Sequence, residues 1–140
     1  MHVFITFFYA KSLILFFVTM LHIRKGTPND MPAVLDLITE LAIFEKEPNA
    51  VVITAEDLIR DGFSETPLFH TFVAEVKEEI IGVALYYYRY STWKGKTIQL
   101  EVLVVKEKMR GTGLGYALYS EILKQGKKDN VRRIEWNVLD

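Results

Sequence analysis

The stretch that most limits what this chain can fold into is Leu100-Glu101-Val102-Leu103-Val104-Val105, followed after a short link by Arg110-Gly111-Thr112-Gly113-Leu114-Gly115. Thr97 to Val105 is apolar at nearly every position, the pattern of a strand buried on both faces. Beyond the glycines, Leu114, Ala117, Leu118 and Ile122 are spaced to share one face of a helix. A strand, a glycine loop and a helix start in that order gather several N–H groups without intrahelical acceptors at the positive end of a helix dipole. Glycines let an anion approach the backbone, and Arg110 adds a bidentate positive charge, so a phosphate or pyrophosphate fits there. The same residues also suit a tight helix entry with no ligand. Two other phosphate loops are excluded. A Walker loop needs Gly-Lys-Ser/Thr where this chain has Gly115-Tyr116-Ala117, and a dinucleotide fingerprint needs G-x-G-x-x-G where this chain has G-x-G-x-G.

The rest of the chain from Leu21 is regularly punctuated. Leu21 to Arg24 reads as a short strand. Thr27-Pro28-Asn29-Asp30 is capping chemistry before a helix whose apolar face is Met31, Val34, Leu35, Ile38, Leu41 and Ala42. Thr54-Ala55-Glu56-Asp57 resembles a capping box and opens a short helix that stops at Gly62. Phe69 to Val76, Ile80 to Tyr90 and Thr97 to Val105 read as strands joined by short turns, hence antiparallel. Arg133 to Leu139 reads as a last strand. The order β-α-α-β-β-β-α-β predicts an α/β fold, a mixed, mostly antiparallel sheet flanked by helices.

Seventeen Lys and Arg against 18 Asp and Glu leave a formal net charge of -1, which argues against a nucleic-acid coat. Cysteine is absent, which excludes disulfides, thiolate zinc sites, iron–sulfur clusters and a cysteine nucleophile. No metal site is expected, and a cytoplasmic location fits. The start of the chain is different in kind. Between Met1 and Ile23 about 17 of 23 residues are apolar, including five of the nine Phe, with Lys11 as the lone charge before Arg24 and Lys25. Three readings stand for residues 1–20: upstream sequence read through from a misplaced start, a membrane anchor of about 20 residues, or a folded part of the core. An anchor would leave Arg24 and Lys25 on the cytoplasmic side.

Arg110-Gly111-Thr112-Gly113-Leu114-Gly115 resembles the R/Q-x-x-G-x-G/A acetyl-CoA loop of the GNAT N-acetyltransferases. Further segments, in order, resemble the diamine, polyamine (spermidine/spermine-type) and thialysine-type members. They include Ile23-Arg24-Lys25-Gly26, Glu40-Leu41-Ala42, Asp61-Gly62-Phe63, Tyr86-Tyr87-Tyr88, Trp93-Lys94-Gly95-Lys96 and Leu100-Glu101. The resemblance covers residues 21–140. It implies a GNAT fold and transfer of acetyl from acetyl-CoA, the cosubstrate, to a primary amine of a small diamine, polyamine or lysine-like molecule. It implies that the pantetheine arm pairs with the backbone of Leu103, Val104 and Val105. The pyrophosphate would rest on Arg110, Gly111, Thr112, Gly113, Leu114 and Gly115, with Tyr116 beside them. Glu101 would take the proton of the attacking amine; the alternative is a solvated or ion-paired strand-end Glu.

By the same resemblance Phe44, Glu45, Trp93, Glu135, Trp136 and Asn137 would border the amine. Two departures carry expectations. Polyamine-specific members have a second acid after the catalytic Glu, and Val102 stands there, which favours a smaller amine. Family members also continue past the last strand with a helix carrying the Tyr that protonates the CoA thiolate, then two more strands. This chain is therefore expected to be C-terminally incomplete. The alternative function is a catalytically impaired acyl-CoA-binding relic or truncated fragment. Family members are commonly dimers, so a homodimer is implied.

Overall fold

The computed structural model describes residues 20–137. The apolar start up to residue 19, with its three readings, and residues 138–140 lie outside that range. Five strands and three helices follow the expected order. They are β1 Leu21–Lys25, α1 Met31–Phe44, α2 Ala55–Gly62, β2 His70–Val76, β3 Glu79–Ser91, β4 Gly95–Val105, α3 Leu114–Lys128 and β5 Arg133–Trp136. Short 3-10 turns at Pro28–Asp30 and Glu107–Met109 lead into α1 and towards α3. The strands lie side by side in chain order. β2, β3 and β4 pair antiparallel through tight turns, β1 pairs antiparallel with β2 across the long segment that carries α1 and α2, and β4 reaches β5 by the α3 crossover, which makes that pair parallel.

Each helix is held by one apolar stripe. α3 places Leu114, Leu118 and Ile122 at successive i+4 positions against Ile98, Leu100, Ala84 and Tyr86 on one face of the sheet. α1 and α2 cover the other face, where Met31, Val34, Leu37 and Leu58 meet Val73, Val83 and Val104. Leu37, outside the expected apolar face, is fully buried, while Leu35 and Ile38 are half-buried. The stripe is rotated because Met31, Val34 and Leu37 run at i+3 spacing along the sheet. α2 starts at a reciprocal capping box: Asp57 N–H donates to Thr54 Oγ1 at 3.1 Å, and Thr54 N–H donates to Asp57 Oδ2 at 2.9 Å. Gly62 is still helical, and the cap falls on Phe63. Glycine is needed there for a different reason, since a Cβ would sit 2.5 Å from the Phe69 ring. The last strand stops at Trp136, short of the expected Leu139, and Asn137 is already irregular.

The first turn of the fold is tied by charge. Arg24 on β1 donates to both carboxylate oxygens of Asp30, at 2.7 and 2.9 Å, and its Nε donates to Glu75 on β2 at 2.9 Å. Thr27 adds its N–H and hydroxyl to Asp30 Oδ2. The Arg24 guanidinium, then the Thr27 donors, hold the buried Asp30 carboxyl below the usual carboxylate range. Its contribution to stability is therefore present above the ordinary carboxylate pKa and lost as pH falls through the lowered one. Asp30→Asn is expected to cost about 2 kcal/mol at pH 7 and to lose less stability than the unsubstituted chain between pH 7 and 3. Urea unfolding at the two pH values measures both.

Candidate active site

The site begins with one extra residue. Leu85 on β3 faces Val102, but the next residue, Tyr86, faces Leu100, so Glu101 bulges from β4 without a partner. The bulge reverses the alternation of side chains. Ile98 and Leu100 point to the α3 layer, yet Val104 points to the α1–α2 layer with Val102 packed beside it. In an unbroken strand all four would share a face. At the same point the described pairing with β5 ends, since it runs from Thr97↔Arg133 to Leu100↔Trp136. Glu101 to Val105 thus has β3 along one edge and, among the described residues, no strand along the other. Burial follows. Thr97 to Leu100 are buried, while Glu101 is exposed and Leu103 and Val105 half-buried, so the expected burial on both faces holds only before the bulge.

β4 then runs into the loop. Met109 is buried and anchors the 3-10 turn, and the Thr112 hydroxyl donates to its carbonyl at 2.6 Å. Gly111 and Gly113 have φ of 77 and 85, a left-handed backbone that L side chains rarely adopt. Gly113 is the N-cap of α3, with no side-chain cap and no acidic residue in the first turn. The first intrahelical bond closes from Ala117 N–H to Gly113 C=O at 3.0 Å. The N–H groups of Leu114, Gly115 and Tyr116 therefore face outward at the positive end of the helix dipole, as an oxyanion requires. Arg110 differs from its neighbours, since its own N–H is committed to Glu107 C=O at 3.1 Å. Its guanidinium rests 4.7 Å from the centre of the Phe44 ring.

On the other side of the bulge lies a cavity of about 330 Å³ between α1, α2 and the sheet. Ile38, Leu58, Leu68, Phe69, Leu85 and Val102 give it apolar walls. Three carboxylates reach it, Asp57 and Asp61 from α2 and Glu101 from the bulge. Arg60 pairs with both aspartates from outside, at 3.0 and 3.1 Å, and stays largely exposed. Hydrogen bonds from Thr54 and the charge of Arg60 keep Asp57 ionised below its ordinary range. Among the described residues, no tyrosine lines this cavity.

The structure brings together Glu101, the open edge of Leu103, Val104 and Val105, and the loop from Arg110 to Tyr116. The other expected residues do not line the cavity at Glu101. Phe44 and Glu45 end α1 on the loop side, both exposed. Trp93 is 90% exposed in the β3–β4 turn, and the strand that follows puts about 20 Å between the Cα atoms of Gly95 and Glu101. Glu135 is paired with Arg89 and Arg133. Trp136 leans on Tyr119, and Asn137 is exposed beyond the strand. Conversely, Asp57 and Asp61 were missed as site residues. Their i, i+4 spacing with Leu58 between them was the available signal, since it puts both acids on one side of α2. Capping supplied a sufficient local reason for Asp57 and hid it.

Comparison with known proteins agrees with this geometry. The model of the acetyltransferase (GNAT) family matches residues 33–140. The thialysine N-epsilon-acetyltransferase of Bos taurus is 37% identical over 126 residues, spanning 84% of this chain and 74% of that protein. The Caenorhabditis elegans protein of the same name is 38% identical over 114 residues, 81% of this chain and 70% of its own length. The Homo sapiens spermidine/spermine N(1)-acetyltransferase-like protein 1 is 39% identical over 110 residues, 74% of this chain but 15% of that protein. Among solved structures, an aminoglycoside acetyltransferase from an uncultured soil metagenomic sample, in complex with sisomicin, has the same fold. Its TM-score is 0.73 at 18% identity, covering 89% of this chain and 81% of the other. Strand bulge, parted strands, uncapped glycine loop and relatives lead to one assignment: the chain belongs to the GNAT family of acetyltransferases, which use acetyl-CoA as cosubstrate.

Proposed function

We propose that this chain transfers acetyl from acetyl-CoA to a terminal primary amine of a small diamine or lysine-like molecule, by direct attack while both are bound. The observation that carries the reading is the position of Glu101 on the seam between two surfaces of opposite character. Towards Val105 and Arg110 the surface offers a strand edge with no neighbouring strand among the described residues, helix N–H groups and a cation, which suit an extended amide-bearing arm ending in pyrophosphate. Towards α2 it offers apolar walls and carboxylates, which suit methylenes carrying cations. Thialysine and spermidine/spermine, named for the relatives, are amines of that kind.

The chemistry follows from charge. A lysine-like ammonium has a pKa near 10.4 and no lone pair to attack with. Glu101 attracts the cation and takes its proton, directly or through one water. The freed nitrogen attacks the thioester carbonyl carbon, the C–N bond forms and the C–S bond breaks. As the C–S bond breaks the nitrogen gives up a second proton, the departing CoA thiolate takes up one proton, and Glu101 returns the first to solvent, so charge and atoms balance. The apolar wall receives the methylenes, and Asp57 and Asp61 hold the distal cation. Val102, where the family resemblance implies a second acid in polyamine-specific members, makes part of that wall and supports a short acceptor.

Steady-state kinetics with acetyl-CoA and a C3–C5 diamine test the reading. Glu101→Gln is expected to lower kcat about 100-fold with little change in KM for acetyl-CoA. Unchanged kcat removes Glu101 from the reaction. Asp61→Asn is expected to raise KM for the diamine about five-fold and to leave KM for a monoamine of the same length unchanged. CoA binding without turnover by the unsubstituted chain would point instead to the CoA-binding relic.

A further inference from the structure

Phe44 closes α1 as an aromatic side chain 65% exposed to water, an unfavourable place for a ring with no partner. It has one: the Arg110 guanidinium lies over its face, with 4.7 Å between the guanidinium carbon and the ring centre. That separation is within the range at which the negative face of a ring attracts a cation. One turn earlier on the same side of α1, Glu40 accepts a hydrogen bond from Glu107 N–H at 3.4 Å. The last turn of α1 therefore touches both ends of the segment that joins β4 to the glycine loop. Meanwhile Phe44 is not among the residues that line the cavity at Glu101.

We propose that Phe44 is a positioning residue for the donor side. Its ring holds the Arg110 guanidinium at the mouth of the loop, so that the charge is in place before a pyrophosphate arrives. The inference rests on the donor reading given above for Arg110 and the α3 N-terminus. The physical gain is preorganisation. A free arginine samples many rotamers, and confining it in advance removes part of the ordering cost of binding. An indole or phenol ring preserves the effect, and an aliphatic side chain of similar size removes it.

Calorimetric titration of the full chain with CoA tests this. The Kd is measured for the unsubstituted protein, Phe44→Leu, Phe44→Tyr, Arg110→Ala and the double variant Phe44→Leu with Arg110→Ala. Phe44→Leu is expected to weaken CoA binding about two- to five-fold, with Phe44→Tyr restoring it. In the Arg110→Ala background Phe44→Leu is expected to add nothing, because the ring then has no cation to hold. An equal loss in both backgrounds overturns the proposal, since it would show Phe44 acting on the fold or on CoA directly. No loss at all also overturns it. Absence of CoA binding by the unsubstituted protein is a separate failure, that of the donor reading itself, and the proposal falls with it.

Discussion

Everything at the centre of this molecule depends on β4 being one residue longer than its partner β3 allows. Glu101 is that residue. By stepping out of register it turns the second half of β4 over, so that Val104 serves the α1–α2 layer although Leu100 serves the α3 layer. Without that turn, Leu100 and Val104 would compete for one face of the sheet, and the other layer would lose part of its floor. The bulge also coincides with the parting of β4 and β5. One local insertion thus settles which side chain is solvated, which backbone is free and where the two helical layers end.

The parted sheet separates charge. Helix N–H groups and Arg110 make the loop end electropositive, while Asp57, Asp61 and Glu101 make the α2 groove electronegative. The formal net charge of -1 conceals this polarity, because it sums over both ends. On the proposed function, an anionic donor and a cationic acceptor would be drawn to opposite sides of one strand, with their reactive ends meeting at the bulge. Arg60 moderates the acidic side. It pairs with Asp57 and Asp61 from the solvent, so the groove keeps an attraction for cations without the full repulsion of three facing carboxylates.

What could be read in the amino-acid order was whatever obeys short-range rules. The glycine loop was legible because left-handed φ at Gly111 and Gly113 is a demand few other residues meet. The capping box at Thr54 and the i+4 row of Leu114, Leu118 and Ile122 were legible for similar reasons. Relations between distant segments were not. The bulge at Glu101 carries no glycine or proline to mark it, since it arises from the register between β3 and β4. The cavity walls come from α1, α2, the loop before β2, β3 and β4, and only folding assembles them. Asp57 and Asp61 each had an adequate local explanation in capping or ion pairing. Leu37 was missed for a related reason: the sheet, not the helix alone, decides which stripe is pressed inward.

Among the described residues no strand lies along β4 beyond Leu100, and such an edge has a consequence for association. A strand with unpaired N–H and C=O groups is a template on which any extended chain can add, including another copy of the same protein. Natural sheets guard such edges with charge. Here the charge is that of the exposed Glu101, since a strand laid along residues 101–105 would set its own side chains beside that carboxylate. A small arm that stops short of the carboxylate avoids that contact. On the proposed function, the side chain that accepts a proton would also be the one that makes the edge a poor template for aggregation.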